Sequence, residues 1–470
     1  MNILNNLQKI NISGRDVWPI IEGGKGIGIS DGSSAGAFAA TGAVGTFSGV
    51  HTKYIDQNGE YIPIEYKTKT RLERHNELIT YSIKSAVSQA RIAHKVSGGN
   101  GCIHMNILWE IANCPTLLEG ILEQTEGLIH GVTGGAGMPY KLSEIATRHK
   151  IYYYPIISSM RAFRILWKKS YKDYIEFLGG VVYEDPWLAG GHNGLSSAEN
   201  PLEPQEPYPR LAILRKFMNE VGLECVPIIM AGGVWNLNEW SKYLNNPEIG
   251  KIAFQFGTRP LLTQESPISD AWKKKLLTIK EGEVILNKFS PTGFYSSATK
   301  NNFIVELQER SKRQILYRVI KDDDFNIPFS TSKRRSNTVF IMAKDLAKVE
   351  EWQGNGFDTI LRTPDKTLIF VQYEKALEIR KDQVDCMGCL SQCRFSNWKD
   401  SDEHTTNKLA DPRSYCIQKT LQNAMSDKHD LDNDLLFSGH NAYRFGTDKL
   451  YANNHIPTIA ELVEVILSGN

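Results

Sequence analysis

"VPIIMAGGVWNLNEWSKYLNNPEIGKIAFQFGT", residues 226–258, holds two short apolar runs that each end in bare backbone, Ala231-Gly232-Gly233 in the first and Gly257-Thr258 in the second. Between them "LNEWSKYLNN" has apolar positions at helical spacing. Strand, helix and strand in that order make one parallel crossover unit, because two parallel strands cannot be joined by a tight turn. Reading outward, the beat repeats. "PIIEGGKGIGI", "AVGTFSGV", "CIHMNIL", "GLIHGVTGG", "IYYYPIIS" and "GGVVYEDPW" alternate with helical stretches such as "SSAGAFAATG", "RHNELITYSIKSAVSQARIAHKV", "TLLEGILEQT" and "YPRLAILRKFMNEVG". About eight repeats from Pro19 to Glu265 predict an α/β fold whose parallel sheet closes into a (β/α)8 TIM barrel. An open doubly wound sheet is the competing architecture.

The chain has 470 residues, 41% hydrophobic and 23% charged, enough for a large core and a second region. Its 54 basic and 53 acidic side chains balance, so any nucleic-acid or membrane partner would need a local patch. The start, "MNILNNLQKINISGRD", lacks the parts of a signal peptide, and no run reaches the ~18 apolar residues of a spanning helix. The expectation is a cytoplasmic protein with no membrane partner.

Residues 1–270 carry the barrel pattern, and 271–335 read as a connecting segment ending in "STSKRRSN". The basic run Lys333-Arg334-Arg335 suits a solvated linker; as a nucleic-acid or protein-binding patch on a degenerate barrel it is the non-enzymatic alternative. "TVFIMAKDLAKVEEWQGNGFDTILRTPDKTLIFVQYEKAL" reads strand, helix, strand, turn, strand. With the cysteines after it, this makes a smaller C-terminal α/β and cysteine-cluster region over 336–430. Residues 431–470 end in "IPTIAELVEVILSG", a helix that docks on the barrel.

Barrel enzymes work at the C-terminal ends of their strands and often hold a phosphate in the loops after strands seven and eight. Here those loops are Gly232-Gly233 and Gly257-Thr258, with exposed N–H groups and one hydroxyl to converge on a phosphate. A third loop, "DPWLAGGHNG" (185–194), also follows an apolar run. Its Gly190 and Gly191 let a ligand approach the backbone, and an imidazole beside them titrates near neutral pH. His192 is therefore the candidate catalytic residue, and a histidine that merely caps the loop is the plain alternative. The remaining histidines lack the i, i+4 pairing of a helix-borne metal site, and His440 in "FSGHNAYRF" lies in a second Gly-His-Asn stretch that reads as a turn, with reach to the barrel mouth as the alternative.

Four of the seven cysteines cluster: Cys386-x2-Cys389-x3-Cys393, then 22 residues to Cys416. Four thiols so spaced suit a [4Fe–4S] cluster or tetrahedral zinc, and the lack of a second CxxC pair favours the cluster. Unligated thiols are the plain alternative.

Taken in order, "PIIEGGKGIGIS…AFAATGAVGT", "MNIL", "GGVVYEDPWLAGGHNG", "VPIIMAGGV" and "IAFQFGTR" resemble the nitronate monooxygenase family, once called 2-nitropropane dioxygenases. Its members are FMN-dependent (β/α)8 barrels related to the flavin-dependent enoyl-acyl-carrier-protein reductases. The likeness spans about residues 19–265; "SPTGF" (290–294) and the final helix also resemble longer members. It implies FMN phosphate on Gly232, Gly233, Gly257 and Thr258 with Gln255 nearby. It further implies Gly23 and Gly24 facing the flavin ring, Asn106 bonded to the cofactor, and His192 as the catalytic histidine. The implied activity is oxidation of an alkyl nitronate or related carbon acid with oxygen. A flavin reductase of an activated double bond, such as an enoyl thioester, is the alternative; it would draw on NAD(P)H or an electron-donor protein. An iron–sulfur centre would favour that alternative, whereas zinc would make a structural clip.

Two features depart from the family pattern. Lys25 stands where longer relatives often have methionine, either as a cation beside the flavin or as a solvent-facing side chain. Residues 51–73, "HTKYIDQNGEYIPIEYKTKTRLE", exceed the short loops of compact members and put the usual small nitronates in doubt.

Overall fold

The computed structural model describes residues 7–332, 338–401, 403–426 and 429–469. Lys333, Arg334 and Arg335 lie outside the described residues. Eight parallel strands close a barrel in chain order: β1 (Ile20–Glu22), β2 (Val44–Ser48), β3 (Cys102–Leu108), β4 (Gly131–Gly135), β5 (Tyr152–Ile157), β6 (Val181–Glu184), β7 (Ile228–Ala231) and β8 (Ile252–Phe256). The register sets Val181 opposite Ile228, Ile228 opposite Ile252, Phe254 opposite Ile20 and Ile21 opposite Val44. Strands covered on both faces read as continuous apolar runs, which is why they were visible in the sequence.

Six helices follow the first six strands in turn: α1 (Gly32–Ala40), α2 (Arg71–Val96), α3 (Cys114–Leu122), α4 (Leu142–Arg148), α5 (Met160–Lys169) and α6 (Pro207–Glu220). After β7 the expected α-helix is a 3-10 run, Leu237–Tyr243, burying Leu237, Trp240 and Tyr243. Those three lie three apart, the period of a 3-10 helix, so the tighter coil puts them all on the core side. The closing helix, Ile459–Ser468, starts with a capping box between Thr458 and Glu461 and packs against α1.

Ile21, Val44, Cys102, Tyr154, Val182, Ile229 and Ala253 fill the barrel, and Ile12 and Val17 of an N-terminal hairpin join the same core. Side chains alternate along a strand. Ile156, Glu184 and Gln255, one step further along the inward faces, and Asn106, two steps beyond Cys102, therefore make the last inner layer before the rim, and all four face the cavity there.

The stretch expected only to connect has a further role. Val284–Asn287 and Ser296–Thr299 form a hairpin whose second strand pairs with Gly191–His192, Ser296 opposite His192. Downstream, Gln314–Leu316, Thr359–Arg362 and Thr367–Val371 form an antiparallel sheet with a satellite core around Ile341, Val349 and Phe370. Among the described residues, no helix is long and apolar enough to cross a membrane.

Candidate active site

At the C-terminal ends of the strands lies one cavity, and the glycines and amides singled out by the sequence surround it. Gly23 and Gly24 end β1, and Asn106 and Gln255 rise from the inner faces of β3 and β8. Gly190, Gly191 and His192 follow β6. Gly232 and Gly233 follow β7, and Gly257 and Thr258 follow β8.

Three positions show why the sequence is bare there. Gly232 and Gly233 have φ of +84° and +75°, a conformation that side chains resist. A Cβ on Gly24 would stand 2.2 Å from the Cβ of Asn106, whereas one on Gly257 would meet nothing within 4 Å.

The loops after β7 and β8 are fastened by a segment from near the other end of the chain. The N–H of Gly439 donates to Thr258 Oγ1 at 2.8 Å, and Asn441 Nδ2 donates to the Gly233 carbonyl at 2.7 Å. Phe437, Ser438 and Gly439 face the cavity beside them. The second Gly-His-Asn stretch thus follows the alternative to a plain turn and reaches the barrel mouth. Arg259 of the "FGTR" motif faces inward to the fold. It is buried, paired with Asp448 at 2.9 Å, and donates to the Trp235 carbonyl at 2.7 Å, binding three loops together.

His192 sits on the short strand that pairs with Ser296–Ser297. Its Nε2 lies 2.6 Å from Ser290 Oγ, and its ring meets Phe437 edge-on with centroids 5.5 Å apart. Ser290 belongs to the "SPTGF" turn and also contacts Thr292 Oγ1 at 2.8 Å. Burial lowers the imidazole to about 4, so the ring is neutral at physiological pH. With Nε2 held by Ser290, Nδ1 is left to face a ligand.

Two cavity groups, and the serine that holds His192, were missed by sequence reasoning. Glu184, at the inner end of β6, makes no hydrogen bond among the described residues, and desolvation, with Asp185 adding the same sign, raises its carboxyl to about 8. Strand parity from Val182 was the available signal. Gln418 is buried with neither end of its amide partnered, on a helix (Ile417–Ala424) that the sequence left unread. Ser290 was visible only as part of a motif.

Lys25 is neither a free cation beside the cavity nor a solvent-facing side chain. Its Nζ folds back to Glu22 Oε1 at 3.2 Å and donates to the Gly23 carbonyl at 2.8 Å. Burial raises the Glu22 carboxyl, with Lys25 opposing that shift.

These groups fit flavin mononucleotide. Glycine-lined loops suit a phosphate, and the unpartnered Gln418 amide with Asn106 and Gln255 supplies polar contacts among the apolar walls of Leu108, Ile111 and Leu421.

The cysteines stand at the edge of the same cavity. Cys386, Cys389 and Cys393 are buried, Cys416 is half-buried, and Cys389 itself lines the cavity wall. Among the described residues, no three His, Cys, Asp or Glu side chains close around a single metal ion. Residues 51–73 and the start of α2 brace this segment. Arg74 donates to the Val384 and Cys386 carbonyls at 3.0 and 3.1 Å, and Arg71 to the Ser396 carbonyl at 3.1 Å. Tyr66 OH lies 3.2 Å from the Met387 sulfur.

A family model described as nitronate monooxygenase matches residues 130–469. No curated protein matches the chain. FabK from Thermotoga maritima is 14% identical with a TM-score of 0.51, over 96% of this chain and 92% of that one. The enoyl reductase domain of MlnA, from the macrolactin biosynthesis cluster of Bacillus amyloliquefaciens, is 12% identical with a TM-score of 0.52, over 96% and 93%. At these identities the two structures speak for the fold, which is the closed barrel expected from the strand–helix beat. Because the family model takes in most of the chain, the cavity loops after β6, β7 and β8 and the closing segment among them, the protein belongs to the nitronate monooxygenase family and is an FMN-dependent oxidoreductase.

Proposed function

We propose that the protein oxidises an alkyl nitronate or a related carbon acid, with His192 as the group that meets the substrate. The observation that carries this reading is a neutral imidazole held by Ser290 at the wall of a glycine-lined cavity. When bound, FMN supplies the electron acceptor for such an oxidation, with oxygen as the final oxidant. The chain supplies the rest. Gly232, Gly233, Gly257 and Thr258 hold the phosphate, and Asn106 and Gln255 position the ring from the barrel's inner layer. His192 Nδ1 either takes a proton from carbon or donates one to a nitro oxygen, and the proton on Nε2 or Ser290 sets which. Anaerobic mixing with propyl-2-nitronate is expected to bleach the flavin absorbance without any nicotinamide; bleaching only after NAD(P)H is added would overturn the reading.

The second reading is reduction of an activated double bond such as an enoyl thioester, with NAD(P)H or a protein as the electron source. The cysteines at the cavity edge favour it, as ligands of a metal centre that would be [4Fe–4S] or zinc.

Glu184 bears on either reading. Below about pH 8 its carboxyl is neutral and above it carries a negative charge, in a cavity whose cofactor would gain negative charge on reduction. His192 is already neutral at that pH, and Lys25 is occupied by Glu22. The flavin midpoint potential is therefore expected to fall more steeply with pH above about 8, and Glu184→Gln to abolish the break. Potentiometric titration at a series of pH values measures this, and a break that survives the substitution rules Glu184 out.

A further inference from the structure

The stretch "SYCIQKTLQNA", residues 414–424, forms the helix Ile417–Ala424, and one side chain in it breaks the pattern of a buried face. Ile417 and Leu421 are four residues apart and Gln418 and Leu421 three, so the three share one side of the helix, and all three line the cavity. Two are apolar; the third is a carboxamide. Gln418 is 0% exposed, and neither its Nε2 nor its Oε1 has a hydrogen-bond partner among the described residues. Buried polar groups are ordinarily paired, because one left unpaired is costly. Leucine or methionine would serve packing better.

The helix is held so that the amide keeps its place. Ser414 Oγ donates to the Phe289 carbonyl at 2.6 Å, Lys419 Nζ pairs with Asp382 at 2.7 Å, and the Tyr415 and Phe303 rings meet edge-on with centroids 5.1 Å apart. At its far end Ala424 packs into the same core as Ile29, in the loop after β1. Phe289 precedes Ser290, which is bonded to His192 Nε2, so one turn fixes both the imidazole and the segment that carries Gln418.

Charge limits what the amide can meet. Lys25 is paired with Glu22, burial keeps the His51 and His192 rings neutral by lowering both to about 4, and Glu184 is neutral below about pH 8. An ionised ligand group beside Gln418 would lack a free counter-charge, and such burial is costly. A neutral partner must therefore fill a donor and an acceptor together. A hydroxyl reaches one end only, and an ester or thioester carbonyl accepts but cannot donate. A carbonyl with an N–H on the same side fills both ends through two parallel hydrogen bonds.

We propose that Gln418 recognises an amide edge, C=O beside N–H on one side, of the ligand bound in this cavity. The proposal rests on the flavin reading of the cavity and adds to it a specific contact from outside the barrel. Two molecules can bring that edge. The pyrimidine ring of FMN carries it, with N3–H between two carbonyls, and a substrate carries it as a primary carboxamide or a lactam.

The test compares wild type with Gln418→Met and Gln418→Leu, which keep an apolar side chain of similar size and remove both hydrogen-bonding ends. FMN-free protein is titrated with FMN and with 3-methyl-FMN, in which a methyl group replaces the N3 hydrogen. If the flavin brings the edge, the substitutions weaken FMN binding by about ten- to a hundred-fold, and wild type rejects 3-methyl-FMN while the variants bind both flavins alike. If the substrate brings it, FMN binding is unchanged. Flavin difference spectra of the FMN-loaded wild type then show 4-nitrobutanamide bound about tenfold or more tighter than 4-methyl-1-nitropentane, which matches its shape without the amide, and the variants lose that preference. Either result supports the proposal. FMN-free Gln418→Met is also expected to unfold at a higher temperature than FMN-free wild type, having no unpaired amide to bury; a lower temperature would mark the amide as merely structural and count against the proposal. Wild type that binds FMN and 3-methyl-FMN alike and shows no preference for 4-nitrobutanamide overturns the proposal and leaves the flavin reading standing. Wild type that takes up no FMN sinks the flavin reading, and the proposal with it.

Discussion

Replacing His192 by alanine is expected to lower turnover by roughly 10²–10⁴-fold, the usual worth of a positioned acid or base, while FMN stays bound. The imidazole is buried and neutral, with Nε2 fixed by Ser290, so it meets substrate in one orientation and one charge state over most of the pH range. It lies on the short strand after β6, apart from the loops after β7 and β8 that suit a phosphate. Loss of the ring therefore removes a proton-handling group and leaves the phosphate loops untouched. Steady-state rates, read beside the ratio of flavin to protein absorbance, check both halves of the expectation. Turnover within a few-fold of wild type on a substrate that the wild type processes efficiently would leave His192 with a merely structural place in its loop.

Gly24→Ala is expected to weaken FMN binding by about a hundred-fold. Its new Cβ would lie 2.2 Å from Asn106 Cβ, 2.8 Å from Asn106 Cγ and 3.1 Å from Thr46 Cγ2. None of these is the far end of a flexible chain, so Asn106 must leave its place on the inner layer or β1 must shift. Overpacking of this kind costs about 1–3 kcal/mol, and the upper end corresponds to the hundred-fold. Here the strain falls on the cavity wall. Fluorescence titration of the FMN-free protein with FMN gives the dissociation constant, and thermal unfolding of the same FMN-free protein separates a local effect from a general one. An unchanged dissociation constant would show that the amide of Asn106 does not depend on the bare backbone opposite.

Much of this molecule could be read before the structure, for a physical reason. Barrel strands such as "PIIM" and "IAFQF" are buried on both faces and stand out as apolar runs. Loops that must bring backbone close to a ligand can only be glycine. What resisted reading was whatever depends on chain segments far apart in sequence. Glu184 looks like a strand-end carboxylate until the closed barrel turns it inward with Asn106 and Gln255. Gln418 sits on a short helix and becomes notable only because the fold buries it without a partner. The stretch at 439–441 reads in sequence as a turn, and the insertion at 51–73 as a departure from compact relatives that bears on the substrate. Their roles, fastening the loops after β7 and β8 and bracing the cysteines, lie in hydrogen bonds that span up to about three hundred residues.

The fastening by Phe437–Asn441 also has an order in time. A chain emerging from the ribosome folds from its N-terminal end, and all eight barrel strands have been synthesised by Phe256. The two hydrogen bonds that fasten the loops after β7 and β8 cannot form until Gly439 and Asn441 leave the exit tunnel some 180 residues later, so the rim of the cavity is the last part of the barrel to be completed.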